Sequence, residues 1–350
     1  MTAPSARPDP ATLEQVAALA GVSRSTVSRV VTGHPRVSDA ARRAVEAAVA
    51  ELGYVPNRAA RSLATRRTGT IALVVAEPET RVFDEPFFAG IVRGVSAAVG
   101  RTDLQLVLLM TGSGPGSDPD GASGRARVES YLAGGHVDGA LLLSLHGADP
   151  LPGHLVGAGL PLVVGGRPEI DDREVSWVDA DNHGGAGRAA EHLLARGRRR
   201  IGVLTGPPDM VAARDRLAGF RAAMTAAGHP APSEFEAIGD FTREGGERAM
   251  TRLLAQAPGV DGVVVASDLA ALGALQALAA AGRRVPDDVA VVGFDDSLVA
   301  ASAQPPLTTI RQPVEAMGAR MVALLCAQLE GERAPRHEVL PTELVVRASA

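Results

Sequence analysis

Hydrophobic and polar residues alternate with a helical period near the start of the chain. In residues 12–20, TLEQVAALA, apolar residues recur at intervals of three and four, which indicates one apolar face of an α-helix. Thr12 and the glutamine three residues later have the spacing of a capping box. After Gly21, which permits a turn, Ser23 can cap a second helix whose apolar face consists of valines. The pattern predicts two helices joined by a tight turn.

A third helical pattern opens at Val37 and Ser38 and stops at Gly53. Two interpretations of the three helices are open: surface helices of an all-α domain, or a helix-turn-helix that binds DNA. The second helix is short, polar on its outer face and contains two arginines. Such a helix suits the major groove, where arginine pairs with guanine edges and hydroxyl groups bond bases or phosphates.

The pattern changes beyond residue 70, where short apolar runs alternate with helical stretches. Runs such as TIALVVA, DGALLLS, RIGVLT and VAVVGF are typical of buried parallel strands. Helical stretches separate these runs, near residues 87–99, 125–134, 184–196, 214–227, 242–256, 268–281 and 314–330. The alternation predicts an α/β fold of doubly wound parallel sheets, and the two sets of strands predict two similar lobes.

Charge is distributed unevenly along the chain. The net charge of the 350 residues is −5. Residues 1–67 contain ten arginines and five acidic residues, a net of +5, so residues 68–350 carry −10. A basic head on an acidic body is expected where only the head meets nucleic acid.

Several classes of site are excluded by composition. All 35 basic residues are arginines, so a Walker A loop and a Schiff-base lysine are impossible. The single cysteine, Cys326, cannot form an intramolecular disulfide, which fits a cytoplasmic protein. Residues 1–10 are proline-rich and lack an apolar stretch, so we expect a disordered tail and neither a signal peptide nor an anchor. No later run approaches the roughly 20 apolar residues of a membrane span, and no membrane partner is expected.

Three runs near the start of the chain resemble the LacI family of bacterial transcription regulators. They are AGVSRSTVSRV, similar to the family's turn and recognition helix, ELGYVPN at its exit, and NRAARSL at its hinge. The resemblance implies an N-terminal helix-turn-helix DNA-binding domain followed by a two-lobed effector domain like the periplasmic binding proteins. It divides the chain into a tail at 1–10, a helix-turn-helix at 11–56, a hinge helix and linker at 57–68, and an effector-binding and dimerisation domain at 69–350.

The same resemblance assigns the DNA contacts. They would come from the first two helices, the start of the third and the hinge: Thr12, Ser23, Arg24, Ser25, Thr26, Ser28, Arg29, Thr32, Val37, Ser38, Asn57, Arg58, Ala60 and Leu63. In the family the hinge lies in the minor groove and its leucine wedges between base steps; Leu63 is the matching residue.

In this family the chain crosses three times between the two lobes. We expect the crossings near residues 173–179, 295–300 and 308–314. The corresponding division places the N-lobe at about 69–175 and 312–338, and the C-lobe at about 176–311 and 339–350.

Ligands of open parallel sheets bind beyond the carboxyl ends of the strands. The residues that match the family's effector positions are Phe87, Phe88, Arg167, Arg216, Phe241, Ser267 and Asp295. Ser267 departs from the asparagine that most members carry, which puts a polar contact there in doubt. The phenylalanines could instead belong to the core, and the charged pair to structural salt bridges. An aromatic wall with an arginine and an aspartate suits a sugar.

Within the family, FDEPFFAGIVRGV, LLLSLHGADPLP and WVDADNHGG resemble the cellobiose-responsive repressors of actinobacteria. This implies a homodimeric repressor of sugar-utilisation genes that binds a palindromic operator in double-stranded DNA. Cellobiose or a cello-oligosaccharide in the cleft would release it.

Neither cofactor, metal ligand nor catalytic residue is expected, since no HExxH or GxSxG motif occurs. The alternatives are a corepressor-type regulator, a sugar-binding protein without regulatory role, and an enzyme. The chain ends soon after its last strand, so the tetramerising helix of some relatives is not expected.

Overall fold

The computed structural model describes residues 11–31, 36–54, 67–111, 122–169 and 175–350. The chain forms two compact units, residues 1–69 and 70–350. Some expectations fall outside the described residues: those for the tail at 1–10, Thr32, Asn57, Arg58, Ala60 and Leu63.

The first unit contains three helices: α1 (Leu13–Ala20), α2 (Arg24–Val31) and α3 (Asp39–Leu52). Each helix contributes a fully buried valine to a shared core: Val16, Val27 and Val45. These are the apolar faces that the spacing predicts. Tyr54 closes the core from the end of α3 and was not predicted, because it follows the helix stop and lies outside the periodic pattern.

The predicted caps of these helices are present. Thr12 and Gln15 form a reciprocal capping box, in which the Thr12 amide donates to Oε1 of Gln15 at 2.8 Å and the Gln15 amide to Oγ1 of Thr12 at 3.3 Å. Ser38 accepts from the amide of Ala41 at 3.3 Å at the start of α3. Gly21 and Gly53 adopt φ angles of 64° and 58°, a left-handed conformation that glycine adopts without a steric cost.

The second unit alternates strands and helices throughout. In chain order its elements are β1 (Thr70–Val75), α4 (Glu79–Asp84), α5 (Pro86–Val99), β2 (Gln105–Met110), α6 (Ala122–Ala133), β3 (Gly139–Leu143), α7 (Leu151–Gly157), β4 (Leu162–Gly165), β5 (Ser176–Ala180), α8 (Asn182–Ala195), β6 (Ile201–Thr205), α9 (Val211–Ala226), a 3₁₀ turn (Ser233–Phe235), β7 (Glu236–Ile238), α10 (Arg243–Gln256), β8 (Gly262–Val265), α11 (Asp268–Ala280), β9 (Ala290–Asp295), α12 (Leu298–Ser302), β10 (Thr308–Arg311), α13 (Val314–Leu329), β11 (His337–Leu340) and β12 (Glu343–Val345).

These strands form two six-stranded sheets, one for each lobe. The first has the order β11-β5-β4-β3-β1-β2 and all its pairings are parallel. The second has the order β12-β10-β9-β8-β6-β7, and β12 pairs with β10 in the antiparallel sense. Apolar side chains of helices on both faces of each sheet complete the cores. The α/β architecture predicted from alternation is confirmed.

Two of the three expected crossings between the lobes are wrong, and the one expected near residues 308–314 is confirmed. Because β5 belongs to the first sheet, the first crossing follows it at residue 181, and the N-lobe boundary at 175 is wrong. The chain then stays in the second lobe up to β10, so no crossing occurs near 295–300. The second crossing lies at 312–313. The third lies at 341–342, because β11 extends to Leu340 in the first lobe before β12 joins the second.

Helices α5 and α13 pack against each other over the first sheet. Gly94 makes this close approach possible, since a Cβ atom there would overlap the backbone carbonyl oxygen of Glu315. The pair carries part of the first-lobe core, including Ile91 and Met321. Within the described ranges, no helix combines the length and the hydropathy needed to cross a bilayer.

Candidate ligand cleft and candidate nucleic-acid interface

Two adjoining cavities lie between the lobes, where the strands of both sheets end. The first is lined by residues that follow β3, β4 and β5 and by the start of α9. The second is lined by residues that follow β1, β8 and β9, together with Phe241. Six residues line both cavities: Phe87, Ser144, Met210, Ala212, Arg216 and Gln312. This is the position that the rule for open parallel sheets predicts.

Arg216 lies at the centre of the cleft, although it is a charged residue with only 8% of its surface exposed. Its Nε atom donates to Oδ1 of Asn182 at 2.8 Å, and Nη1 donates to the carbonyl oxygen of Ala266. The guanidinium carbon is 3.7 Å from the centroid of the Phe294 ring, a stacked cation–π arrangement. Packing and hydrogen bonds therefore fix the guanidinium group in one orientation.

Asp295 faces Arg216 from the end of β9. One of its carboxylate oxygens lies 3.9 Å from Nη1 of Arg216, and the other side chain that holds it is Gln312, whose Nε2 donates to Oδ1 at 2.7 Å. Burial raises the pKa of Asp295 to about 7, although the Arg216 charge opposes this shift. The two residues thus form the salt bridge considered as an alternative to ligand binding, and they also line the cavities.

Three phenylalanines form the aromatic wall. Phe87 and Phe88 contact each other edge to face with ring centroids 5.4 Å apart. Phe88 is 2% exposed and belongs to the first-lobe core, which was the alternative to ligand binding, and it lines only the second cavity. The half-buried Phe87 lines both cavities. Phe241 faces them from the second lobe, 5.5 Å from the guanidinium carbon of Arg216.

Ser267 lines the second cavity, but its hydroxyl group has partners in the protein. Its Oγ donates to the carbonyl oxygen of Phe241 at 2.7 Å and accepts from the Ala270 amide at 3.1 Å. Ser267 is therefore the cap of α11. The Asp268 carboxylate instead accepts from Ser297 and from Thr309, in a fully buried position behind the cleft.

Arg167 lies at the exposed edge of the first cavity. Its Nη2 atom lies 2.7 Å from both carboxylate oxygens of Asp215 on α9, an ion pair that joins the lobes. All seven residues expected at the effector site thus line one or both cavities. That they contact a ligand stays a prediction.

A polar group that was not predicted from the sequence follows β1. Glu77, Arg81 and Glu85 form a chain of ion pairs in which Arg81 bonds both carboxylates at 3.1 Å. Burial raises the pKa of Glu85 to about 7 against the opposing charge of Arg81. Arg81 and Glu85 line the second cavity. The signal that could have found them is their place directly after a strand.

A second group that was not predicted follows two of the strands that the apolar pattern did not reveal, β5 and β10. Asp179 and Asn182 come from the end of β5, and Gln312 follows β10. Burial raises the pKa of Asp179 to about 6, although bonds from the Ala180 and Arg167 backbone oppose the shift. Because neither strand was predicted, the residues at their ends could not be placed in the cleft.

Backbone strain is concentrated at the cleft. Among the described residues, four other than glycine have a positive φ angle: Ser144, Phe241, Asp295 and Asp296. The first three line the cavities. Such conformations cost of order 1–3 kcal/mol each and persist where the surrounding structure requires them, most often at binding sites.

The first unit presents a polar surface along α2. Arg24, Ser25, Ser28 and Arg29 are exposed there, while Val27 and Val30 face the core. Ser23 accepts from the Thr26 amide at 3.2 Å, as expected for a cap. Arg24 forms an exposed ion pair with Glu14 of α1 at 3.1 Å. Val37 packs against the core and Ser38 caps α3, so both residues have structural roles. That either of them also contacts DNA stays a prediction.

Comparison with known proteins agrees with both units. Residues 12–57 match the family model described as "Bacterial regulatory proteins, lacI family", and residues 190–350 match a periplasmic binding protein-like domain. The HTH-type transcriptional regulator CelR of Thermobifida fusca is 53% identical over 345 residues, which are 97% of this chain and 98% of that protein. The chain belongs to the lacI family of bacterial regulatory proteins.

Other lacI-family members are similar along most of their length. The ribose operon repressor of Escherichia coli K12 is 35% identical over 324 residues, 90% of this chain and 92% of that protein. A solved structure described as a CelR–cellobiose complex is 50% identical, with a TM-score of 0.77 over 98% of this chain and 100% of that one. A lac repressor dimer bound to operator and the anti-inducer ONPF is 29% identical, with a TM-score of 0.82 over 97% and 99%.

The relatives named above are transcription regulators. In the part of the chain that the structure describes, no three His, Cys, Asp or Glu side chains are grouped so that they could hold a metal ion. The lacI-family chain is therefore a transcriptional regulator with a DNA-binding head and an effector-binding body.

Proposed function

We propose that this regulator is a repressor that leaves its operator when cellobiose or a cello-oligosaccharide binds between the two lobes. The observation that carries the proposal is the fixed Arg216 guanidinium, which faces Asp295 in a cavity that Phe87 and Phe241 also line. The solved structure of a CelR–cellobiose complex, which is 50% identical to this chain, supports this choice of sugar.

The chemistry of the cleft suits a neutral sugar. Aromatic rings can cover the apolar face of a pyranose, while a fixed guanidinium and a carboxylate can bond vicinal hydroxyl groups. The two adjoining cavities share Phe87 and Arg216, so a ligand of two sugar units could occupy both. The seven expected effector residues would then contact the ligand together with Arg81, Glu85, Asp179 and Gln312.

The DNA-binding half of the proposal rests on α2. Its exposed Arg24, Ser25 and Arg29 would read base edges or phosphates in the major groove. Minor-groove binding by the hinge, with Leu63 as the wedge, rests on the family resemblance, since these residues lie outside the described ranges. A homodimer on a pseudo-palindromic operator in the cytoplasm completes the proposal, as the operator-bound dimer of the lac repressor supports.

The test measures release of DNA by sugar. An operator is first selected from random DNA by the full-length protein, and its affinity is then measured as cellobiose, ribose or lactose is added. We expect cellobiose alone to release the operator. Arg216→Ala should bind operator like the wild type but should not respond, because loss of a buried charged partner removes several kcal/mol of ligand affinity.

Each other function has its own outcome in this assay. Tighter operator binding with cellobiose would indicate a corepressor-type regulator, and sugar binding without any effect on DNA would indicate a sugar-binding protein. Conversion of the sugar would indicate an enzyme. An Arg216→Ala variant that releases the operator at the wild-type cellobiose concentration would overturn the assignment of the cleft.

A further inference from the structure

His146 lies between one carboxylate from each lobe. It follows β3 of the first lobe, and its Nε2 atom is 3.1 Å from Oε1 of Glu77, which follows β1. Its Nδ1 atom is 2.9 Å from Oδ2 of Asp209, which precedes α9 of the second lobe. A neutral imidazole has one N–H group and can donate to only one carboxylate, whereas the protonated ring donates to both. The protonation of His146 therefore decides whether the side-chain bridge between the lobes is complete.

The backbone also fixes this geometry. The amide nitrogen of Gly147 donates to the carbonyl oxygen of Asp209 at 2.9 Å. This bond joins the same two loops and does not depend on the charge of His146. It brings the Asp209 carboxylate within reach of the imidazole, so the side-chain bond forms with little further loss of conformational entropy in the loop.

Glu77 is held as an anion on the other side. Burial favours its neutral form, but hydrogen bonds from His146, Ser144 at 2.6 Å and Arg81 together lower its pKa. The charged groups that face His146 within the described residues are Glu77 after β1 and Asp209 before α9. Arg81 of α4 acts on it through Glu77. Both direct neighbours are carboxylates, which favours an imidazolium.

We infer that His146 is a positioning residue for sugar binding, in which the Glu77–His146–Asp209 bridge holds the lobes closed over the cleft while the imidazole is protonated. The inference rests on the proposed function, because it takes a sugar as the ligand that closure retains. His146 itself does not line either cavity. It acts through the position of the loop 206–210, which carries Asp209 and the cavity residue Met210.

The sign of the pH dependence follows from the two carboxylates. The bonds to Glu77 and then Asp209 raise the pKa of His146 although burial lowers it. Opening of the cleft would remove Asp209 and leave Glu77, so the closed form binds the proton more tightly than the open form. Closure is therefore favoured at pH values below the ordinary histidine pKa, and this contribution is lost as the pH rises through the raised value.

Calorimetry of the full-length protein with cellobiose tests the inference. We expect the affinity of the wild type to fall about three- to tenfold between about pH 6 and about pH 8, since one unit of pKa difference corresponds to a factor of ten. His146→Gln keeps a hydrogen-bonding side chain that does not titrate, so its affinity should vary much less over the same range. His154→Gln is the matched control, because His154 pairs with Glu129 at 2.8 Å within one lobe.

The control is needed because other groups also titrate. Burial raises the pKa of Glu85 and Asp295 to about 7, and both line the second cavity. Their contribution is common to the wild type and both variants, so the difference between the profiles isolates His146. Identical pH profiles for the wild type and His146→Gln would overturn the inference.

A second measurement tests the bridge without sugar. An NMR titration of the histidine ring signals, with His146 assigned by its loss in His146→Gln, gives its pKa in the wild type and in Asp209→Asn. We expect Asp209→Asn to lower this pKa. An unchanged value would overturn the bridge whatever the calorimetry shows. A lowered value in a protein that binds no cellobiose would support the bridge and reject the proposed function, so the two failures are distinguishable.

Discussion

At the scale of single residues, burial has more influence than charge partners on the carboxylates of the cleft. Asp295 and Glu85 each have an arginine beside them, yet burial raises the pKa of both to about 7. Asp288, on the surface, shows the reverse: its hydrogen bonds from Arg284 lower its pKa to about 2. The difference arises because removal of a carboxylate from water costs more than one arginine returns, whether that arginine lies 3.9 Å away, as at Asp295, or 3.1 Å away, as at Glu85.

The buried carboxylate at position 295 should make stability depend on pH. Its folded pKa of about 7 lies above the ordinary value of 3.8, so the folded protein binds the proton more tightly. This stabilising contribution is complete below about 3.8 and is lost as the pH rises towards 7. Asp295→Asn stays neutral, so its free energy of unfolding should improve relative to the wild type by of order 1 kcal/mol between about pH 5 and pH 7.5.

Denaturant unfolding, followed by the fluorescence of the buried Trp177, measures this effect in the second unit. Asp288→Asn is the control, because the lowered pKa of Asp288 leaves that residue ionised throughout the same pH range. A difference between Asp295→Asn and the wild type that stays constant with pH would contradict the assignment of a raised pKa to Asp295.

At the scale of elements, close packing depends on where a helix has a glycine. Gly94 of α5 lies against the backbone of Glu315 in α13, so a side chain cannot be accommodated without separating the two helices. Gly187 of α8 has only ordinary van der Waals contacts, the nearest at 3.6 Å from the position of a Cβ atom. The same substitution should therefore have opposite effects at the two positions.

Gly94→Ala should lower the free energy of unfolding by about 1–3 kcal/mol, the usual cost of overpacking. Gly187→Ala should raise it by about 0.5–1 kcal/mol, because alanine loses less conformational entropy in a helix. Chemical denaturation of both variants, compared with the wild type, measures the difference. Equal effects at the two positions would show that the close packing of α5 against α13 does not exclude a side chain at position 94.

Sequence patterns predicted the elements whose apolar residues form continuous runs. β1, β3, β6 and β9 are such runs, and their burial on both faces explains the pattern. β10, with the sequence TTIR, was missed because its two threonines are buried with satisfied hydroxyl groups. β5, SWVDA, contains a buried serine and a buried aspartate. A hydropathy pattern cannot distinguish buried polar residues that have partners from a loop.

The cleft could also be predicted only in part from the sequence. Family resemblance identified Arg216 and Asp295, which occur in recognisable motifs. His146 and Glu77 lie 69 residues apart in sequence and meet only through the order of β3 and β1 in the sheet. Neither residue alone signals a bridge, since the signal lies in a distance between loops and not in a motif. Contacts of this kind require the fold before they can be recognised.

At the scale of the whole molecule, the basic head and the acidic body have separate ligands that must be linked. Residues 1–67 carry +5 and residues 68–350 carry −10, so operator DNA should be drawn to the head and repelled by the body. Control of DNA binding by sugar therefore requires a free energy that couples the two sites. Such couplings are typically about 1–3 kcal/mol, or 5- to 150-fold in affinity.

Because that coupling is a property of both equilibria, it must act in both directions. If saturating cellobiose weakens operator binding by a given factor, saturating operator should weaken cellobiose binding by the same factor. Calorimetry with cellobiose in the presence and absence of the selected operator measures one factor, and operator titrations with and without cellobiose measure the other.

Arg29→Ala is the control: loss of a base-reading arginine should cost about 1–3 kcal/mol of operator affinity, while the cellobiose affinity of the free protein stays unchanged. Arg43→Ala removes an equal charge from an exposed position on α3 and separates this loss from general electrostatics. If cellobiose were a corepressor, each ligand would strengthen binding of the other. Unequal factors in the two titrations would show that cellobiose acts on operator binding by a route other than binding to this protein.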